Sequence, residues 1–178
     1  FALSTPYGRS AISVIRLSGP NSLNVAKKLT KKCNLSHRKV SFATFFDSKG
    51  YIIDRGLIIY FKSPSSYTGE DMLEIHNHGS IAIINKMFDV LEKIIGCRFA
   101  LPGEFSKRAF INGKNDLIHF EGLANLISSE TEQQRIVASK QTFGQTQNIC
   151  KEWREIILEN LAILDSAIDF PEEGEDYN

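Results

Sequence analysis

LPGEFSKRAFINGKNDL, Leu101 to Leu117, is the stretch on which the chain turns. Pro102 and Gly103 break whatever precedes them, and from Glu104 the apolar residues Phe105, Ala109 and Phe110 recur at helical spacing. The spacing predicts a short helix. Asn112-Gly113 suits a left-handed C-cap or a tight turn, which delivers Lys114 where a cation meets a helix C-terminus. Asp116 is placed to cap the next helix, so Lys114 occupies a fixed connection between two helices. A lysine held there can bind an anion; the plainer alternative is a helix corner with a solvated lysine.

Upstream, after a turn at Pro6 to Gly8, SAISVIRLS (Ser10 to Ser18) reads as a largely buried strand ended by Gly19-Pro20. Arg16 is the odd residue in it, and an arginine in an apolar run needs either a structural ion pair or an anionic ligand. Asn21 is placed to cap a helix running to about Lys32, with Leu23, Val25, Ala26 and Leu29 on its buried face. Val40 to Phe46 and Tyr51 to Phe61 read as an antiparallel hairpin around Ser48-Lys49-Gly50. After a loop containing Pro64, Met72 to Ile75 is a further strand, and alternation turns Glu74 away from Leu73 and Ile75. That carboxylate faces solvent or completes a site.

His76-Asn77-His78 follows. A metal pair lacks a third ligand at recognisable spacing, since His37 and His119 are isolated, and a His-Asn-His nuclease rests on too short a match. The favoured reading is a strand-to-loop turn at Gly79, with polar side chains bonding backbone. Ser80 then caps a helix to about Ile95, whose stripe is Ile83, Ile84, Met87, Val90, Leu91 and Ile94. Arg98 to Ala100 would complete a strand-helix-strand unit. Beyond Asp116 little breaks a helix until Pro171: Ile118 to Ser129 forms one piece, and from Thr131 a long helix carries Ile136, Phe143, Cys150, Ile157 and Leu164 at heptad spacing. Ile149, Ile156 and Ile163 widen that face, which reads as the first arm of an unfinished bundle. The tail DFPEEGEDYN reads as a connection between elements.

The 178 residues, 42% of them hydrophobic, suffice for one good core or for one domain with a helical appendage. A formal net charge of +0 gives no global field toward nucleic acid or anionic membrane, so any RNA contact needs a local patch. Cys33, Cys97 and Cys150 are far apart and odd in number, which argues against a disulfide framework or a cysteine zinc site and for a reducing compartment. No apolar run is long enough to span a bilayer, and the start lacks the order of a signal peptide. Opening at Phe1 rather than Met implies that upstream residues were removed or left out. Gly113-Lys114 is not a phosphate loop, because Arg108 stands where the first glycine belongs and Asn115 where Ser or Thr would hold magnesium.

Four blocks in order, TPYGRSAISVIRLSG at Thr5 to Gly19, SYTGEDMLEIHNHG at Ser66 to Gly79, RFALPGEFSKRAFINGKNDL at Arg98 to Leu117 and AIDFPEE at Ala167 to Glu173, resemble the N-terminal part of the tRNA modification GTPase family, MnmE/TrmE. The resemblance covers essentially the whole chain. It implies an α+β (α/β) N-terminal domain over 1–115, similar to the tetrahydrofolate-binding domain of the glycine-cleavage aminomethyltransferases, and a partial all-α helical domain over 116–178. It also implies homodimerisation and a 5-formyl- or methylene-tetrahydrofolate held by Arg16, Glu74 and Lys114, with no catalytic nucleophile and no metal ligand assigned. With an MnmG-type flavoprotein, the whole enzyme of the family installs an aminomethyl-type group on the wobble uridine, U34, of tRNA, using GTP, Mg2+ and K+. The family's GTPase domain and C-terminal cysteine motif have no counterpart here, so GTP hydrolysis by the family's route is not expected of this chain. A cytoplasmic setting follows, or a mitochondrial matrix one, without a membrane. Two other readings stand beside this one: an assembly module that binds no small molecule, and a free-standing folate-dependent aminomethyltransferase.

Overall fold

The computed structural model describes residues 1–31 and 35–169. Cys33, the expected helix end at Lys32 and the acidic tail from Phe170 lie outside the described residues. The chain divides into two compact units, Phe1–Lys114 and Asn115–Asn178.

The first unit is built on a five-stranded antiparallel sheet of order β1-β2-β5-β4-β3. Its strands are β1 (Ala2–Leu3), β2 (Ser10–Ser18), β3 (Val40–Phe46), β4 (Ile52–Phe61) and β5 (Met72–Gly79). Period-two alternation gives the sheet two faces. One carries Ile15, Leu17, Phe45, Ile58, Leu73 and Ile75, all buried, and α1 (Ser22–Thr30) and α2 (Ile81–Glu92) cover it with Val25, Ala26, Leu29, Met87 and Leu91. At about 2 kcal/mol for each fully buried aliphatic side chain, this shared interior is what holds the sheet and both helices together.

Several expectations are corrected here. β5 does not stop at Ile75 but pairs through to Gly79, where Gly79 meets Ser10 of β2. His76 and His78 therefore share a face, and Asn77 turns inward to donate Nδ2 to Ser13 Oγ at 2.9 Å. Arg98 to Ala100 forms no strand: the Ala100 amide donates to the Phe1 carbonyl, but Pro102, which has no N–H, follows too soon for a ladder. Helix α2 ends at Glu92, three residues short of Ile95, and Ile94 is buried from a turn instead. Neither Asn21 nor Ser80 caps with its side chain; Asn21 Nδ2 donates to the Ile95 carbonyl, tying the start of α1 to the turn after α2.

Helix α3 (Glu104–Ile111) ends in a Schellman motif, with Gly113 N–H donating to Phe110 O and Lys114 N–H to Ala109 O. Gly113 supplies the positive φ of 65° that this motif requires. Of its three periodic residues only Ala109 is buried; Phe110 is exposed.

In the second unit Asp116 caps α4 (Leu117–Ile127) by accepting from His119 N–H at 2.9 Å. Helix α5 (Glu132–Thr142) opens with a reciprocal capping box between Thr131 and Gln134. Gly122 lets α4 and α5 approach until a Cβ there would lie 2.6 Å from Thr142 N. The long helix expected from Thr131 is in fact two, because Gly144 adopts φ +90° and α6 (Gln145–Asp169) starts afresh beyond it. The heptad series thus crosses a break between Phe143 and Cys150. Among the described residues α6 buries none, and Trp153, Ile157 and Leu164 are each more than half exposed.

Candidate functional site

The second sheet face of the first unit carries the polar residues. On β5, Glu74, His76 and His78 alternate outward, and the register sets Arg16 of β2 directly opposite Glu74. Arg16 Nε donates to Glu74 Oε1 at 2.8 Å, while His76 Nε2 lies 3.4 Å from Glu74 Oε2. Arg16 is 40% exposed and Glu74 16%, so the pair is neither solvated at the rim nor sealed in the interior. The odd residue of the first strand and the outward carboxylate of the fifth meet.

Lys114 does not join them. Its Nζ donates to the Pro64 carbonyl at 2.5 Å, on the loop between β4 and β5. That loop folds onto the outward face at one end of β5: Thr68 N–H points at Met72 Sδ, 3.4 Å away, Thr68 Oγ1 is 2.5 Å from Ser18 Oγ, and Asn112 Nδ2 donates to Thr68 O at 2.7 Å. Met72 is buried as a result, although it points away from the core. Lys114 thus lies against the loop between β4 and β5, the loop whose Thr68 packs on Met72 two positions along β5 from Glu74.

At the opposite end of β5 the ladder with β4 stops at the Leu57–His76 pair. Asp54 takes over where the β4 backbone leaves off, accepting His78 N–H at 2.8 Å and facing His78 Nδ1 at 2.8 and 3.1 Å with its two oxygens. Burial opposes the charge on Asp54, but the backbone and ring N–H groups of His78 and the Arg55 amide outweigh it and hold its pKa below the usual carboxylate range.

A second ionic cluster was not singled out in the sequence. Glu104, the first residue of α3, accepts from both Arg98 and Arg108, at 2.7 and 2.6 Å, and from the Leu101 amide at 2.8 Å. Arg98 chiefly, then the Leu101 amide and Arg108, hold its pKa far below the ordinary value. Arg108 also reaches Glu70 at 2.9 Å, and Glu70 accepts from Ser18 Oγ at 2.7 Å. Arg98, Glu104, Arg108 and Ser18 border a cleft of about 350 Å³ whose wall includes Leu17, Asn21 and Cys97 but none of Arg16, Glu74 and Lys114. Only the Glu104–Arg108 spacing of four could have been read in advance. Glu70 and Arg98 join through the fold.

The remaining histidines have backbone partners, His37 Nδ1 accepting from Lys62 N–H at 2.9 Å and His119 Nδ1 lying 2.8 Å from Thr142 O. Among the described residues no group of three His, Cys, Asp or Glu side chains gathers as metal ligands. No described helix is long and apolar enough to cross a membrane.

An antiparallel sheet with helices on one face and an opposite face that mixes charged with apolar side chains, followed by a helical unit, defines a two-part α/β and all-α protein. The family model described as GTP-binding protein TrmE N-terminus matches residues 1–114, and that described as MnmE helical domain matches residues 117–178. The chain belongs to the TrmE/MnmE family. It is 44% identical over 173 residues to a tRNA modification GTPase MnmE of Anaplasma phagocytophilum and 45% identical to one of Aquifex aeolicus, each time over 97% of this chain and 38% of the relative. A tRNA modification GTPase mss1, mitochondrial, of Schizosaccharomyces pombe is 42% identical over 98% of this chain and 36% of its own length. The chain therefore spans somewhat over a third of the curated relatives it matches.

Proposed function

We propose that this chain is the portion of a tRNA modification GTPase that binds a one-carbon folate and self-associates. Arg16, Glu74 and Lys114 hold a 5-formyl- or methylene-tetrahydrofolate on the open face of the sheet. The observation that carries this reading is the Arg16–Glu74 pair at 2.8 Å, half-buried on a face that no core element covers. A pterin edge offers an amino group and a ring N–H beside a carbonyl oxygen. An ionised Glu74 can accept from the two donors, and Arg16, with Lys114 from beside the loop, can donate to the oxygen. The acceptor of Glu74 and the donors of Arg16 are complementary to such an edge, which supports this reading. When bound, the folate supplies the one-carbon chemistry, and the protein binds, orients and screens it.

In this reading the folate-binding unit forms a homodimer, and the assembled protein works with an MnmG-type flavoprotein to place an aminomethyl-type group on U34 of tRNA. GTP hydrolysis, with Mg2+ and K+, belongs to the part of the relatives' length that this chain does not span. The setting is the bacterial cytoplasm or the mitochondrial matrix.

Calorimetric titration of the chain with 5-formyl-tetrahydrofolate is expected to show saturable binding. Glu74→Ala should weaken it about thirtyfold, the equivalent of about 2 kcal/mol for a charged hydrogen bond. Equal affinity in both proteins removes Glu74 from the site. The assembly-module reading draws on a different observation, the exposed Val40 and Phe42 on edge strand β3 and Ile12 on β2. A dimer by light scattering with no folate heat would favour it.

A further inference from the structure

The Asp54–His78 pair is used by nothing described so far. A nearly buried carboxylate, 10% exposed, faces Nδ1 of an imidazole that is itself 69% exposed. A proton on Nδ1 is the form this pairing favours, which leaves the Nε2 lone pair outward with no protein partner among the described residues. A carboxylate that orients an imidazole and keeps its charged form paired is the arrangement by which proteins make a histidine take up and return a proton. His78 shares its face with Glu74, four residues along one strand, about 13 Å at the usual rise. His76 stands between them.

The shape of the face decides which way a ligand lies. The loop bearing Thr68 closes the Met72 end, so along β5 a body whose edge is held at Glu74 meets open sheet in the direction of His76 and His78. The structural alternative is that Asp54 merely finishes the ladder by taking the His78 amide. That function needs the backbone N–H alone, and it does not explain why the same carboxylate also holds the ring.

We propose that His78, oriented by Asp54, is the proton-transfer residue of this face. Its Nε2 lone pair takes a proton from a nitrogen of the one-carbon carrier held at Glu74 and returns it, while Asp54 stays ionised and pairs with the imidazolium formed. This inference rests on the folate reading above. The proton leaves one nitrogen for another, and no further reactant is needed.

Long-range proton–nitrogen spectra of the histidine rings test it, with 5-formyl-tetrahydrofolate added to the 178-residue chain and calorimetry run alongside. The expected result is a saturable shift of the His78 Nε2 resonance, of several parts per million, that follows the calorimetric binding curve. The signal is assigned by its loss in His78→Gln. Asp54→Asn should bind the folate within about threefold of the wild type yet show a much smaller Nε2 response, because the ring is no longer held in one tautomer. Folate binding with an unmoved His78 Nε2 overturns this inference and leaves the folate site standing. Absence of both heat and shift overturns the two readings together. Should Asp54→Asn fail to fold by circular dichroism, the wild-type response decides alone.

Discussion

Glu104 begins α3 and gathers two guanidinium groups and a backbone amide, so removing it leaves Arg98 and Arg108 facing each other without their shared anion. Glu104→Ala is expected to lower stability in denaturant unfolding by about 2 kcal/mol, within the range for hydrogen bonds to charged groups. The same carboxylate, with Asp54, sets an acid limit. Both have pKa values lowered on folding, so their contribution is complete above the unfolded carboxylate value and is lost as pH falls through the depressed folded values. The melting temperature should hold level from neutrality to about pH 5 and drop below about pH 4. Glu104→Ala should shrink that drop. Single residues were unevenly legible in the sequence. Arg16 and Glu74 stood out because a charge in an apolar strand demands a partner. Lys114 was placed correctly at its Schellman turn, yet its bond to Pro64 O depends on a loop fifty residues away in sequence and could not be read.

At the scale of elements, glycines separate two kinds of constraint. Gly113 has positive φ but open space around a built Cβ, so Gly113→Ala should cost only the conformational penalty of about 1 kcal/mol and leave α3 intact by circular dichroism. Gly56 has ordinary φ, but a Cβ there would lie 2.0 Å from the His76 carbonyl oxygen. Because that neighbour is backbone, Gly56→Ala should force β4 from β5 and cost about 3 kcal/mol, the upper end for overpacking. Chemical denaturation of the two variants checks the order. Strand and helix identities were readable wherever the hydrophobic period was sustained, as in β2, the β3–β4 hairpin and α2. They failed where one residue overruled the period. Gly144 splits a heptad series that the apolar residues alone would carry straight through, and Pro102 leaves Arg98 to Ala100 too short to pair.

For the whole molecule, the two units differ in what protects their backbones. The first has a contiguous core from α1, α2 and four strands, whereas in the second Ala138, Thr142 and Gly122 are the described buried helical residues and α6 buries none. Native-state hydrogen exchange should therefore show amides of β2 and β5 exchanging slowest and those of α6 fastest. Comparable protection in α6 would mean that its apolar face is covered in solution. The switch from period two to period 3.6 along the chain was legible, while strand order was not, because β5 inserts between its sequence neighbour β4 and the distant β2. That order bears on biosynthesis. β1 and β2 form one pair and β3 and β4 another, and no strand joins the two pairs until β5 has followed. Throughout that interval Ile15 and Leu17 on one pair, and Phe45 and Ile58 on the other, have α1 but neither β5 nor α2 to cover them. The nascent chain is then a substrate for chaperones, and a pause in translation near Met72 would prolong its exposure.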